Sequence, residues 1–254
     1  MTQKIIAVVN QKGGVGKTTT AINVAAQLAG PKTSVLLVDL DPQGNATSGL
    51  GLAKQKAPVT TYDVLCRGIP LANAVQETHV AQLFVLPTNA NLAGAEVELV
   101  SRERREFALS QALATATAYE YIIIDCPPSL GLLTINGLTS ANSVLIPVQA
   151  EYYALEGLSQ LLDTIQAVRS STNPRLELLG IALTMFDKRN SLSEQVQTEV
   201  RNYFGDRLFD SIIPRNVRLA EAPSYGRTIY EHDRWSKGAR AYKALAKEVK
   251  NRTK

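Results

Sequence analysis

Residues 4–28 constrain this chain more than any other stretch. "KIIAVVN" (4–10) is a nearly continuous apolar run, "QKGGVGK" follows at once, and "TTTAINVAAQLA" continues as a helical segment. An apolar run without alternation is what a strand buried on both faces looks like. A strand feeding a glycine-rich loop that opens a helix is the context a phosphate-binding loop requires. Gly13, Gly14 and Gly16 allow a tight turn whose amides converge on an anion. Lys17 supplies a point charge to the β/γ-phosphates, and Thr18 offers a hydroxyl to Mg²⁺. The helix that follows directs its positive end at the same anion. Val15 and Thr19 belong to the same predicted nucleotide-binding stretch. One lysine satisfies such a loop, yet a second, Lys12, stands just before it.

The rest of the chain repeats the strand-then-helix theme. Strands are expected at 4–10, 34–40, 83–87, 121–127, 143–149, 178–184 and 211–214. Helices are expected at 17–29, 92–117, 130–140, 155–170, 191–204 and 237–251. Strands rich in Ile, Val and Leu alternating with helices predict a doubly wound α/β fold with a mostly parallel sheet. No linker, repeat or low-complexity run interrupts 254 residues that are 45% hydrophobic, so a single domain over 1–254 is expected. The loop begins within a dozen residues, and no separate domain is expected ahead of it. Two cysteines, Cys66 and Cys126, do not make a disulfide framework. The run at 5–9 is too short for a signal core or a membrane span, and a cytoplasmic protein is expected.

Carboxylates fall where such a loop needs them. "VLLVDLDPQGN" ends a strand candidate in Asp39 and Asp41, and "YIIIDCPPS" ends another in Asp125. Ligands of open α/β sheets sit at those strand ends. Asp39, Asp41 and Asp125 are therefore expected to converge with Thr18 on a Mg²⁺ site. Asp125 matches a Walker B carboxylate, and Asp41, on a turn with Pro42 and Gly44, is placed to orient an attacking water.

Charge is unevenly placed. Residues 201–254 hold 13 Lys and Arg against 6 Asp and Glu, while residues 1–200 are mildly acidic. A basic final fifth suggests an anionic partner for one face. The run "SRERREF" (101–107) interleaves its signs at helical i,i+4 distances and is expected to be a solvated helix face.

"KGGVGKTTT", "VLLVDLDPQGN", "YIIIDCPPS" and "IIPRNVRLAEAPSYG" resemble the ParA/Soj chromosome- and plasmid-partitioning ATPases, within the MinD/ParA class with its deviant Walker A loop. The likeness runs over essentially the whole chain. It implies an ATP-dependent homodimer sandwiching two ATP molecules, with each Lys12 reaching the partner's nucleotide. Physically that is a cation placed in trans on developing phosphate charge. The resemblance also implies that Asp41 is the switch carboxylate for hydrolysis and that Pro214 and Asn216 line an adenine site. "LTMFDKRN" puts Thr184 and Met185 where a guanine-reading signature has Asn and Lys, which favours adenine.

By the same resemblance the dimer binds double-stranded DNA without sequence preference. The likeness carries this onto Arg218 and onto Lys188 or Arg189, with Arg215 and Arg227 as weaker candidates. It implies slow ATP hydrolysis stimulated by a ParB/Spo0J-like centromere-binding protein, and a nucleoid-associated location. A MinD-like membrane-associated ATPase is the alternative. Its amphipathic tail would be Trp235, Ala239, Tyr242, Leu245, Ala246 and Val249, but so much alanine is a poor anchor. Docking of that tail on the protein's own core, without stable membrane association, is the expectation. An iron–sulfur reductase of this class would need a cysteine pattern the chain lacks, and a small-molecule kinase would lack the dimerisation and DNA binding.

Overall fold

The apolar runs become strands where the sequence puts them, with one exception. In the computed structural model, which describes residues 3–151 and 156–254, β1 (Lys4–Val8) leads through the loop into α1 (Lys17–Leu28) and then β2 (Val35–Asp39). The irregular stretch after it holds α2 (Asn45–Gly49), α3 (Thr61–Arg67) and α4 (Leu71–Ala74), followed by β3 (Gln76–Glu77) and β4 (Leu83–Leu86). Next come α5 (Ala95–Glu98), α6 (Ala108–Leu113), β5 (Tyr121–Asp125), α7 (Leu132–Ser140) and β6 (Ser143–Gln149). The chain continues with α8 (Glu156–Ser171), β7 (Glu177–Thr184), α9 (Ser191–Phe204), α10 (Val217–Glu221), α11 (Ile229–Asp233) and α12 (Lys237–Arg252).

The strands form one sheet in the order β3-β4-β2-β5-β1-β6-β7, parallel throughout except for β3 against β4. Every residue of β2 and β5 is buried, which is why those runs do not alternate. The alternation reappears as a division between two cores. Ala7, Leu36, Val38, Ile122 and Ile124 face one side; Ile6, Val8, Val35, Leu37 and Ile123 face the other. The first core takes Leu109 and Leu113 of α6 and Leu133 and Leu138 of α7; the second takes α1 and α12. The chain leaves β1 for β2 on one side, and β5 crosses over to β6 on the other. That divergence opens a crevice at the C-terminal end of β1, where the loop lies.

Four expectations need correction. Residues 211–214 are not a sheet strand. They run extended beside the end of β7, with Ile213 N donating to Leu183 O (2.8 Å) and Arg215 N to Phe186 O (3.0 Å). Pro214 between them has no N–H to extend a ladder. The helix expected over 92–117 is broken into α5 and α6 by short 3₁₀ turns and by Arg104, whose φ is +54°. Arg102 donates to the Leu65 and Cys66 carbonyls at the end of α3, orphan acceptors of that helix terminus. Charged run 101–107 is therefore a turn clamped to α3, not a helix face. Finally, Trp235 does not join the α12 stripe: it precedes the helix and is exposed.

The remainder of that stripe docks inward as expected. Tyr242, Leu245, Ala246 and Val249 are buried, and the Tyr242 hydroxyl hydrogen-bonds with that of Thr20 on α1 (3.1 Å). Tyr242→Ala is expected to lower unfolding free energy by about 3–5 kcal/mol, and Tyr242→Phe, which loses only the hydroxyl contact, by about 1 kcal/mol. Urea titration followed by circular dichroism checks both. Among the described residues no helix is long and apolar enough to cross a membrane.

Candidate active site

The loop turns through two left-handed glycines, Gly14 at φ +76° and Gly16 at φ +88°. A Cβ at Gly14 would meet nothing within 4 Å, so it is the turn, not crowding, that calls for glycine there. Gly16 caps α1 without a side chain, leaving the helix amides to the loop.

Asn10 and the two lysines form a connected unit. Asn10 donates from Nδ2 to Pro147 O (2.7 Å) and accepts from Lys12 N at Oδ1 (3.0 Å). Lys12 O in turn accepts from Lys17 Nζ (2.8 Å). The Lys12 ammonium is ion-paired with Glu151, at the end of β6, and its side chain is 47% exposed. Lys12 therefore stands at the rim while Lys17 is buried. Burial pushes the Lys17 ammonium below its ordinary value, and the Asp125 and Asp41 charges partly offset this.

The three strand-end carboxylates lie near enough to act on one another's charge, but together they form no group that could hold a metal. Asp39 is committed to a turn. Its Oδ2 accepts from Thr47 N (2.7 Å) and Thr47 Oγ1 (2.6 Å), and its Oδ1 faces Asp41 N (3.3 Å). Burial raises its pKa to about 6 despite those bonds. Asp39, expected among the metal ligands, has its oxygens engaged by protein donors and ties α2 to the end of β2. Asp41 is buried beside the loop and closes an Asx turn with Gln43 N (2.9 Å). Gly44 N donates back to Asp41 O (2.8 Å).

Asp125 is different. It is fully buried; neither carboxylate oxygen has a partner in full hydrogen-bond geometry, although the Thr18 hydroxyl lies near enough to act as a donor to it. Burial, then the Asp39 charge, pushes its pKa well above the ordinary carboxylate value, while Thr18 and Lys17 pull the other way. A charge that costs several kcal/mol to desolvate calls for a counter-ion. Two hard oxygens beside the Thr18 hydroxyl fit Mg²⁺, which prefers oxygen donors and keeps waters and phosphates as its other ligands. Among the described residues no three His, Cys, Asp or Glu side chains form an all-protein metal cage.

Next to the loop lies a cavity of about 430 Å³, lined by Gly16, Thr19, Thr184, Met185, Pro214 and Asn216, among others. It brings Pro214 and Asn216 to the loop, as expected. Asn216 Oδ1 caps α10 through Arg218 N (2.8 Å). Thr184 donates to Val15 O (2.8 Å) and so joins the cavity wall to the loop. The aromatic wall residue Tyr242 comes from α12, which no local pattern connects to the loop.

The basic candidates separate into two groups. Lys188, Arg189 and Arg215 line one groove of about 590 Å³ together with Lys237, a residue that only the tertiary structure brings in. Arg189 makes two side-chain bonds to Asp187 (3.0 and 2.8 Å), which hold that carboxyl down at about 2. Arg218 pairs with Glu221 (2.9 Å) and lies 3.9 Å from Asp233. Arg227 is exposed on the stretch between α10 and α11. Lys188, Arg215 and Arg227 have no ion-pair partner among the described residues.

A glycine loop between a central parallel strand and a helix, with a lysine and a buried strand-end aspartate facing each other, defines a P-loop nucleotide-binding protein. A family model described as an AAA domain matches residues 3–178. The chain is 50% identical over 252 residues to the chromosome partitioning protein ParA of Caulobacter vibrioides, covering 98% of this chain and 94% of that one. It is 55% identical over 247 residues to the sporulation initiation inhibitor protein Soj of Bacillus subtilis, covering 97% and 98%. The crystal structure of cobyrinic acid a,c-diamide synthase from Mycobacterium smegmatis with bound ADP and magnesium superposes with a TM-score of 0.85 at 41% identity, over 97% of this chain and 93% of that one. The chain belongs to the ParA/Soj family of partitioning P-loop proteins.

Proposed function

We propose that the chain is a Mg²⁺-dependent ATPase of DNA partitioning. Two copies sandwich two ATP molecules, and the ATP dimer binds duplex DNA without sequence preference. A ParB-like centromere-binding partner stimulates hydrolysis, and hydrolysis releases the DNA. The observation that carries the reading is Asp125, a fully buried carboxylate beside the phosphate loop whose nearest donor is the Thr18 hydroxyl and whose oxygens lack a partner in full hydrogen-bond geometry. The names of the relatives, chromosome partitioning protein and Soj, support the biological role.

Each residue then has a task. The loop amides and Lys17 hold the β/γ-phosphates. Thr18 and Asp125 would hold Mg²⁺, which when bound would supply charge neutralisation on the phosphates. Asp41 orients the attacking water, and Asp39 with Thr47 holds the turn that aims Asp41. Lys12 leaves Glu151 to reach the partner's nucleotide, where its charge stabilises the transition state. The cavity beside Pro214 and Asn216 takes adenine. The M. smegmatis structures with ADP or an ATP analogue and magnesium support the choice of ligands.

DNA affinity follows from dimerisation. One protomer offers a few exposed cations; two in a rigid dimer double the phosphates engaged and bind by avidity. Arg218→Glu is expected to weaken duplex binding roughly tenfold or more at moderate salt and to flatten the salt dependence by about one counter-ion for each phosphate no longer engaged. Fluorescence anisotropy across a salt series checks it; unchanged affinity removes Arg218 from the DNA face. The whole reading is tested by size-exclusion chromatography with ATP, ADP or no nucleotide, with and without duplex DNA. A dimer that forms with ATP alone and retains duplex is expected. A monomer under all conditions overturns the reading.

A further inference from the structure

Trp235, the single tryptophan of the chain, takes no part in the nucleotide site or the core. It is 74% exposed, although an indole is among the largest apolar surfaces a side chain can bury. One cation lies against it, and others are tied to the same segment. The Arg234 guanidinium lies 4.9 Å from its ring centroid. Its backbone amide donates to Asp233 Oδ1 (3.1 Å), and Oδ2 of the same carboxylate lies 3.9 Å from Arg218 Nε. One carboxylate thus links the tryptophan to Arg218. Two residues on, at most about 7 Å along the chain, Lys237 lines the groove of Lys188, Arg189 and Arg215. Tyr225 is also exposed on this segment, and its ring stacks on His232, the neighbour of Asp233, at 5.1 Å.

A duplex presents phosphates to such a surface, with its bases already stacked on one another. Lysine and arginine suffice for that contact, and an exposed ring adds little. Unpaired bases offer free π-faces. Aromatic rings set among cations are how single strands are held without sequence preference. We propose that Trp235 is a stacking platform for unpaired bases, so that this face takes single-stranded nucleic acid as well as duplex. For its cations the proposal rests on the DNA face described above; its stacking part is independent of it. A lipid surface is the other partner that favours tryptophan beside arginine. Here the apolar residues of α12 are in the core, so that helix offers the indole no apolar face to share.

Because Trp235 is the only indole, its emission reports on this site alone. The full chain with ATP and Mg²⁺ is titrated with an oligothymidylate of about 16 nucleotides and, separately, with a duplex at the same salt. Oligothymidylate is expected to quench the emission, and duplex to leave it nearly unchanged. In anisotropy titrations Trp235→Ala weakens oligothymidylate binding by roughly 5- to 150-fold, the loss of one base–aromatic stack. It changes duplex binding by less than about twofold. Trp235→Phe recovers most of the lost affinity. Equal oligothymidylate affinity in wild type and Trp235→Ala overturns the proposal, as does an equal loss for both nucleic acids. An emission shift on phosphatidylglycerol vesicles without quenching by oligothymidylate overturns it in favour of lipid. Duplex retention with no oligothymidylate effect defeats this proposal and leaves the partitioning reading standing. Quenching and Trp235-dependent affinity without ATP-dependent duplex retention do the reverse.

Discussion

Lys12→Ala is expected to lower ATP turnover by roughly 10³-fold or more while leaving ATP binding to the monomer within a few-fold of wild type. The magnitude is that of a cation delivered in trans to a transferring phosphoryl group. The separation of binding from turnover follows from geometry. Lys17 is buried against the loop, whereas the Lys12 side chain is at the rim, paired with Glu151. Removing Lys12 leaves the loop's own contacts in place, because the bond from Lys17 Nζ is to the Lys12 backbone carbonyl, which alanine retains. Phosphate release measures turnover, a fluorescent ATP analogue measures binding, and chromatography measures the dimer. Normal dimerisation and turnover in Lys12→Ala refute the trans role.

Asp41→Ala is expected to reduce hydrolysis by about 10²–10⁴-fold, the range of a positioned acid–base group, while the ATP dimer persists and stays on DNA. The side chain is buried beside the loop and is held by Gln43 N, so its aim is fixed by the turn. Removing the carboxylate takes away the water-orienting group without touching the loop amides. The two variants also make a joint test. Mixed together, Lys12→Ala protomers supply Asp41 and Asp41→Ala protomers supply Lys12, so each mixed dimer contains one complete site. Turnover recovered on mixing two inactive proteins supports action in trans; no recovery argues that Lys12 serves its own protomer.

Much of the site was readable from local pattern, and its divisions were not. Asp39 and Asp125 look alike in sequence, since each ends an apolar strand run. They differ because Thr47, eight residues beyond Asp39, satisfies that carboxylate with both an amide and a hydroxyl, whereas Asp125 has no such partner. The pairing of Arg218 with Glu221, three residues on, is one the spacing already suggests and the structure makes, whereas that of Arg189 with Asp187 appears only once the turn is built. The charged run 101–107 has helical charge spacing, yet Arg102 finds the carbonyls of Leu65 and Cys66, more than thirty residues earlier in the chain.

By itself the sequence determined the phosphate loop, the buried parallel strands and the membership of α12 in the core. These are set by contiguous residues: glycines where φ is positive, lysine and threonine at fixed offsets, and apolar side chains at the period of their element. The tertiary structure alone decided which strand-end aspartate the protein's own donors satisfy. It also brought Lys237 to the groove of Lys188 and Arg215 and left Trp235 outside the core. Those outcomes depend on partners far apart in the chain, and whether a buried or exposed polar group is satisfied is a property of the packed whole.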